Sequence, residues 1–332
     1  MPVDIQELIN QGERLSDAEA RQLEEHLRRN PDDVKARVKL LGYYWKFSLD
    51  SQQAAAKARQ SHILWLAQNR PEEPVLGTPY AMLHPPVDGE AFHRVRDALL
   101  QQVQKNPGNV RILANARDFL SVHDRPKAVE LAKRVWSLAP HNPEHAESLA
   151  HLYEMEARNT DNATARKRHY QQALAVLEST LNRVRMDHIT YVNLLRSTAD
   201  IAARAEEWRK AQRYAQDLLR LASKPTFVFE PDADGIHAAH TVLGKVALGR
   251  GDIEAAKNHL LDSARVEGSP VLSSFGPDFT LARALLERGE RQTVLEYLSL
   301  CERFWVCGRD RLAKYRHIIE RGGMPDFGFK GE

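Results

Sequence analysis

The chain has 332 residues, 42% of them hydrophobic and 28% charged, with 47 basic against 45 acidic side chains and a net charge of +2. That length suits two ordinary domains or one extended array. The near balance of charge excludes the strong basic footprint of a nucleic-acid binder. No run of about 18 apolar residues is present, so no membrane span is expected. The start, Met1-Pro2-Val3-Asp4-Ile5-Gln6-Glu7, lacks the basic and apolar regions of a signal peptide, and a cytoplasmic location is expected.

Along the chain the residues favour helix. Ala, Leu, Arg, Glu and Gln dominate, and alternating apolar/polar runs rich in Val, Ile and Thr are few. Ser16-Asp17-Ala18-Glu19 reads as a capping box that opens a helix. Helices are expected over 17–68, and Leu41-Gly42-Tyr43-Tyr44-Trp45 reads as the first helix of a pair. Residues 69–90 hold Pro71, Pro74, Pro79, Pro85 and Pro86 with Gly77 and Gly89. Proline lacks the amide donor and clashes inside a helix, so a loop is expected there. Repeats are expected over 91–222. Within them Asn142-Pro143 places a capping residue before a proline at the first helical position. Ala146, Leu149, Ala150, Tyr153 and Ala157 make one apolar face, and about 11 extra residues are inserted near Asn159-Thr160-Asp161-Asn162. A second loop is expected at 223–236, with Pro225, Pro231 and Gly235. Further repeats follow over 237–305, where Gly251-Asp252 ends one helix and caps the next and so forces antiparallel neighbours. A C-terminal capping helix is expected at 309–321, with a loosely packed tail after Gly322-Gly323. Cys301 and Cys307 have no second pair and give neither a zinc framework nor a disulfide scaffold.

Three turns are alike: Asn30-Pro31-Asp32-Asp33, Asn106-Pro107-Gly108-Asn109 and Ala139-Pro140-His141-Asn142. Pro107 and Pro140 lie 33 residues apart, close to the 34-residue tetratricopeptide unit. The packing residues resemble that family. Leu243-Gly244, Ala256 and Leu260 occupy the family's large and small positions, as do Ile112, Ala116, Phe119, Ala128 and Pro140. Looser units carry Ala173 and Leu177, Leu194 and Ala211, and Leu281, Ala282, Leu285, Val294 and Leu298. The resemblance implies an all-α fold in which antiparallel helix pairs stack into a right-handed α-solenoid, here one domain over 1–332. Leu40-Leu41-Gly42-Tyr43-Tyr44, Leu76-Gly77-Thr78-Pro79-Tyr80 and Ser274-Phe275-Gly276-Pro277 also resemble bacterial tetratricopeptide-like proteins, which implies no activity.

The resemblance further implies a concave groove lined by the first helix of each unit. At the ninth position of five units stand Arg117, His151, Arg196, Lys245 and Arg283. Such a ladder concentrates positive potential locally, and arginine takes a carboxylate bidentately. The expected function is a scaffold for another protein or peptide, whose bound segment is acidic or ends in a carboxylate. The bland alternative is that these cations pair with acids of the adjacent helix. Two functional alternatives stay open: self-assembly into a homo-oligomer, and a small-ligand or enzyme site built from the 69–90 loop with the aromatic cluster Tyr43, Tyr44, Trp45 and Trp65. No phosphate-binding glycine loop and no nucleophile elbow is present. No enzyme activity, cofactor, metal, nucleic acid or membrane partner is expected. His237-Ala238-Ala239-His240, with Asp232 and Asp234 upstream, is read as packing at a helix start rather than as a zinc site.

Overall fold

The caps and the apolar spacing set the helices. The structure is a computed structural model that describes residues 3–46, 53–224 and 231–328; among these it has eighteen α-helices, three short 3-10 helices and no strand. The fold is all-α, and no described helix is long and apolar enough to cross a membrane. The chain divides into two compact units, Met1–Leu152 and Tyr153–Glu332.

The first unit holds α1 (Val3–Glu13), α2 (Asp17–Arg29), α3 (Val34–Trp45), α4 (Gln53–Asn69), α5 (Pro85–Asp88), α6 (Glu90–Lys105), α7 (Val110–Leu120), α8 (Arg125–Leu138) and the first part of α9 (Pro143–Arg158). The capping box forms: Glu19 N–H donates to the Ser16 hydroxyl, and Ser16 N–H donates to the Glu19 carboxylate at 2.8 Å. Helix α1 lies ahead of the expected start at residue 17. It packs on α3 through two glycines, because a Cβ on Gly12 would sit 2.0 Å from the Lys39 carbonyl oxygen and one on Gly42 2.4 Å from that of Ile9. At these two positions backbone meets backbone.

Residues 69–90 are more ordered than the loop expected from their prolines. Pro74–Gly77 and Pro79–Ala81 are 3-10 helices and Pro85–Asp88 is a single α-turn. Proline suits each first position because its missing amide is unneeded there. Val75, Leu76, Ala81 and Leu83 are buried, and the Arg59 guanidinium donates to the Tyr80 and Met82 carbonyls. Of the aromatic cluster, Tyr43 is buried and Tyr44, Trp45 and Trp65 are half-buried. Tyr44 donates to Glu24 and Tyr43 to Asp17, while Arg37 covers the Trp65 ring at 3.7 Å.

The second unit continues with α10 (Ala163–Arg183), α11 (His188–Arg204), α12 (Trp208–Ala222), α13 (Ala233–Gly249), α14 (Ile253–Ala264), α15 (Pro270–Phe275), α16 (Thr280–Leu286), α17 (Arg291–Cys301) and α18 (Arg309–Glu320). Each of α10 to α14 packs on its chain neighbour; α11 also touches α13, and α14 also touches α17. The inserted residues near 159–162 do not form an added loop. They lengthen the flanking helices, α10 reaching 21 residues behind its Asn162 cap. The second loop is shorter than expected at its end, since Asp232 caps α13 by accepting from Gly235 N–H and Gly235 lies inside the helix. Pro225 lies outside the described residues. Gly251 takes φ +83°, open to glycine at little cost, and Asp252 then caps α14.

The tail corrects another expectation. Phe327 is buried and stacks on Phe279 with ring centroids 5.0 Å apart, its edge against Tyr315. The tail is therefore docked at Pro325 and Phe327, while Met324 stays exposed. Phe327→Ala is expected to lower the unfolding free energy by about 3 kcal/mol, read from urea denaturation. An unchanged midpoint would show that the ring contributes nothing there.

Candidate functional site

In the first unit, Pro74, Gly77, Thr78 and Pro79 face α7 and the start of α9 across a groove of about 640 Å³. Arg117 lines it and is 94% buried. Its Nε and Nη2 donate to the two oxygens of Asp118 at 2.7 and 2.9 Å, while Nη1 is buried with no hydrogen-bond partner. Asn115 fixes the proline-rich wall by donating to the Pro71 and Glu73 carbonyls. Gly77 sits close to this wall's polar side chains, where a Cβ would lie 3.0 and 3.1 Å from Asp118 and Asn115 oxygens and would need them to shift. Arg111 and His145 complete the basic lining, and burial, reinforced by the charge of Arg117, holds the His145 imidazole below its ordinary pKa. His151 is exposed on α9. The 69–90 segment thus faces Arg117 across this groove, and the aromatic cluster is not part of its lining.

In the second unit, Lys245 and Arg283 line one groove of about 500 Å³ together with Arg204, Arg288, Glu287, Trp208, Leu248, Ala203 and Ala284. Two residues that the sequence places at equivalent positions of successive units therefore share a surface. Trp208 reaches this groove because Gly249 opposite lacks a side chain; a Cβ there would meet the indole at 2.8 Å.

The charges beneath this groove are matched. Lys245 Nζ donates to Asp200 at 3.0 Å and lies 3.7 Å from Asp278. Arg204 Nε donates to the other Asp200 oxygen at 2.7 Å. Burial alone would raise the Asp200 pKa, but Lys245 and Arg204 outweigh it and hold the carboxyl well below the usual range. Burial likewise opposes ionisation of Asp278, and Lys245 with the Thr280 hydrogen bonds overcomes it. Lys245 shows the mirror image: burial would lower its pKa, and Asp200 and Asp278 raise it instead. Arg283 lies 3.4 Å from Glu287, and Arg196 lies 3.4 Å from Asp232. Arg117, Arg196, Lys245 and Arg283 each have a carboxylate neighbour, so the positive potential expected of a ladder is compensated locally. Arg288 on the rim donates to the Ala284 carbonyl.

Sequence reasoning missed Asp200, Arg204, Trp208, Asp278 and Arg288. The Asp200–Arg204 pair carries an i,i+4 signature that could have been found. Asp278 carries none, because it reaches Lys245 only through the packing of the segment ahead of α16.

The His237-x-x-His240 motif is divided by the structure. His237 Nδ1 donates to the Ser263 carbonyl and its Nε2 accepts from Asp278 N–H, both at 2.9 Å, which fixes the neutral tautomer and occupies both nitrogens. Asp234 accepts from the Ser269 hydroxyl and Asp232 caps α13. His240 turns instead toward His259 on α14. In comparisons with known proteins, no family model matches this chain, and no curated protein sequence matches it.

Proposed function

We propose that this chain is a protein-binding scaffold of tetratricopeptide-like repeats, and that the groove of the second unit receives an acidic or C-terminal carboxylate segment of a partner protein. In this reading the helix pairs of that unit stack as a right-handed α-solenoid, with α11, α13 and α16 lining its inner face. The observation that carries the reading is the lining itself: Arg204, Lys245, Arg283 and Arg288 surround an apolar floor of Trp208, Leu248, Ala203 and Ala284. Apolar floors supply affinity and rim charges supply orientation and encounter rate. Lys245 and Arg204 are committed to Asp200, whereas Arg283 and Arg288 are exposed on the rim, where a partner's charge meets them first.

The test is a pull-down from lysate with the wild-type chain beside Arg283→Glu/Arg288→Glu, followed by affinity measurement on the captured partner's peptide. A loss of roughly tenfold or more, about 1.4 kcal/mol, is expected for the variant. Equal recovery with both proteins would remove the groove from the reading. A mass that rises with concentration and no partner would favour self-assembly.

A second reading rests on the first unit. The orphaned Nη1 of buried Arg117, in a groove walled by Pro74–Pro79, favours a small carboxylate ligand there. A buried, unsatisfied charged donor is costly, and a ligand that reorders Arg117 and Asp118 relieves that cost.

A further inference from the structure

We infer that His240, His259 and Asp262 form a binding site for one borderline divalent transition metal, of the Zn²⁺, Cu²⁺ and Ni²⁺ class, between α13 and α14. Their ligand atoms all lie within 4.8 Å of one another, and the three side chains are half-buried, so they are open to an ion yet held in place. His259 and Asp262 are three residues apart on one face of α14, and α13 brings His240 against that face.

The geometry of the imidazole pair is the informative part. The two Nδ1 atoms face each other at 3.0 Å, with ring centroids 5.3 Å apart. A metal about 2.05 Å from each nitrogen separates them by about 3.3 Å at a tetrahedral angle and about 2.9 Å at a right angle. The observed separation lies between these values, so the imidazole pair already has the nitrogen spacing that one shared ion requires. Without an ion, one Nδ1 carries the proton and the other accepts it. With one, both imidazoles take the Nε2–H tautomer and present both Nδ1 lone pairs, with no net proton released.

The donor set selects the ion. Two imidazoles and one carboxylate suit zinc, copper and nickel rather than magnesium or calcium, which demand oxygen. Arg265 donates to Asp262 Oδ1 at 2.8 Å, which orients the carboxylate as outer partners of metal ligands do and leaves its second oxygen for the ion. Solvent completes the coordination. Packing supports the placement, since Gly244 on α13 leaves no side chain between the helices where a Cβ would meet Leu281 at 2.2 Å and the His259 Cβ at 3.3 Å. The sequence sets His237 and His240 on this helix as packing at its start; the structure pairs His240 with His259 instead.

The experiment is calorimetric titration of tag-free, chelator-stripped full chain with Zn²⁺ alone, beside His240→Ala, His259→Gln, Asp262→Asn and the control His84→Ala/His123→Ala. The control matters because His84 and His123 are a second imidazole pair, 2.8 Å apart. One equivalent of Zn²⁺ is expected to bind wild type and control alike. Losing an outer partner costs about 10–100-fold, so losing either imidazole should cost more than about 100-fold. Magnesium should not compete. Co²⁺ absorption on the unmutated protein gives a readout independent of variant folding, with d–d bands of a nitrogen and oxygen site. Absence of saturable Zn²⁺ binding, binding unchanged by His240→Ala and His259→Gln, or loss of binding in the control would each overturn the assignment.

Discussion

Gly42→Ala and Gly12→Ala are each expected to destabilise the first unit by about 1–3 kcal/mol, although both changes raise helix propensity by about 1 kcal/mol. The sign is decided by what the new methyl meets. At Gly42 it would lie 2.4 Å from the Ile9 carbonyl oxygen and at Gly12 2.0 Å from that of Lys39. Both obstacles are backbone, so neither can rotate aside. Helix α1 must lift from α3, which exposes Ile5 and Ile9, now 4% and 0% accessible. Thermal melts and limited proteolysis near residue 14 report the two consequences. A variant more stable than wild type would mean that propensity wins and that the helices are not in backbone contact.

Lys245→Met is expected to cost the second unit about 2–3 kcal/mol, the lower range for breaking a partly buried pair, because it leaves Asp278 without its cation and Asp200 with only Arg204. For a unit of this size that is a fall in Tm of roughly 5–10 °C. The pH dependence separates loss of charge from loss of packing. Asp200 and Asp278 have folded pKa values below their unfolded ones. Their contribution is therefore present above the ordinary carboxylate pKa of about 3.9 and is lost as pH falls through the depressed folded values. Lys245 has a raised folded pKa, so its contribution is full below about 10.4 and is lost as pH rises through the folded value. Wild type should lose stability steeply below pH ~4, and Lys245→Met should lose less there. Parallel acid limbs for the two proteins would show that the network does not hold these carboxylates ionised.

Much of the fold was legible because its signals are local. Ser16 with Glu19, Asn142 with Pro143, and Gly251 with Asp252 each set a helix end within a few residues, and the structure places them so. Helix α1 was only partly legible: Ile5, Leu8 and Ile9 recur at helical spacing, but the close seat on α3 is built from two missing side chains, which leave no signature of a partner. The docked tail escaped because Phe327 belongs to no repeat and finds Phe279 only in three dimensions. Of the candidate site, the sequence supplied Lys245 and Arg283 but not the acids that neutralise them. Charge complementarity between elements far apart in sequence has no spacing rule. The His240–His259 pair was not legible on the same ground, since the two are joined by packing and not by a motif.

Trp208 gives the second unit a built-in optical reporter. Its indole lies against Gly249 and lines the groove, half-buried, whereas Trp305 is 4% accessible and packed among Gly276, Gly308 and Phe279. Emission from an indole tracks the polarity around it. A segment that settles onto the groove floor displaces water from Trp208 while leaving Trp305 as it was, so the binding-dependent change in the second unit's emission belongs to Trp208, and Trp208→Phe removes it.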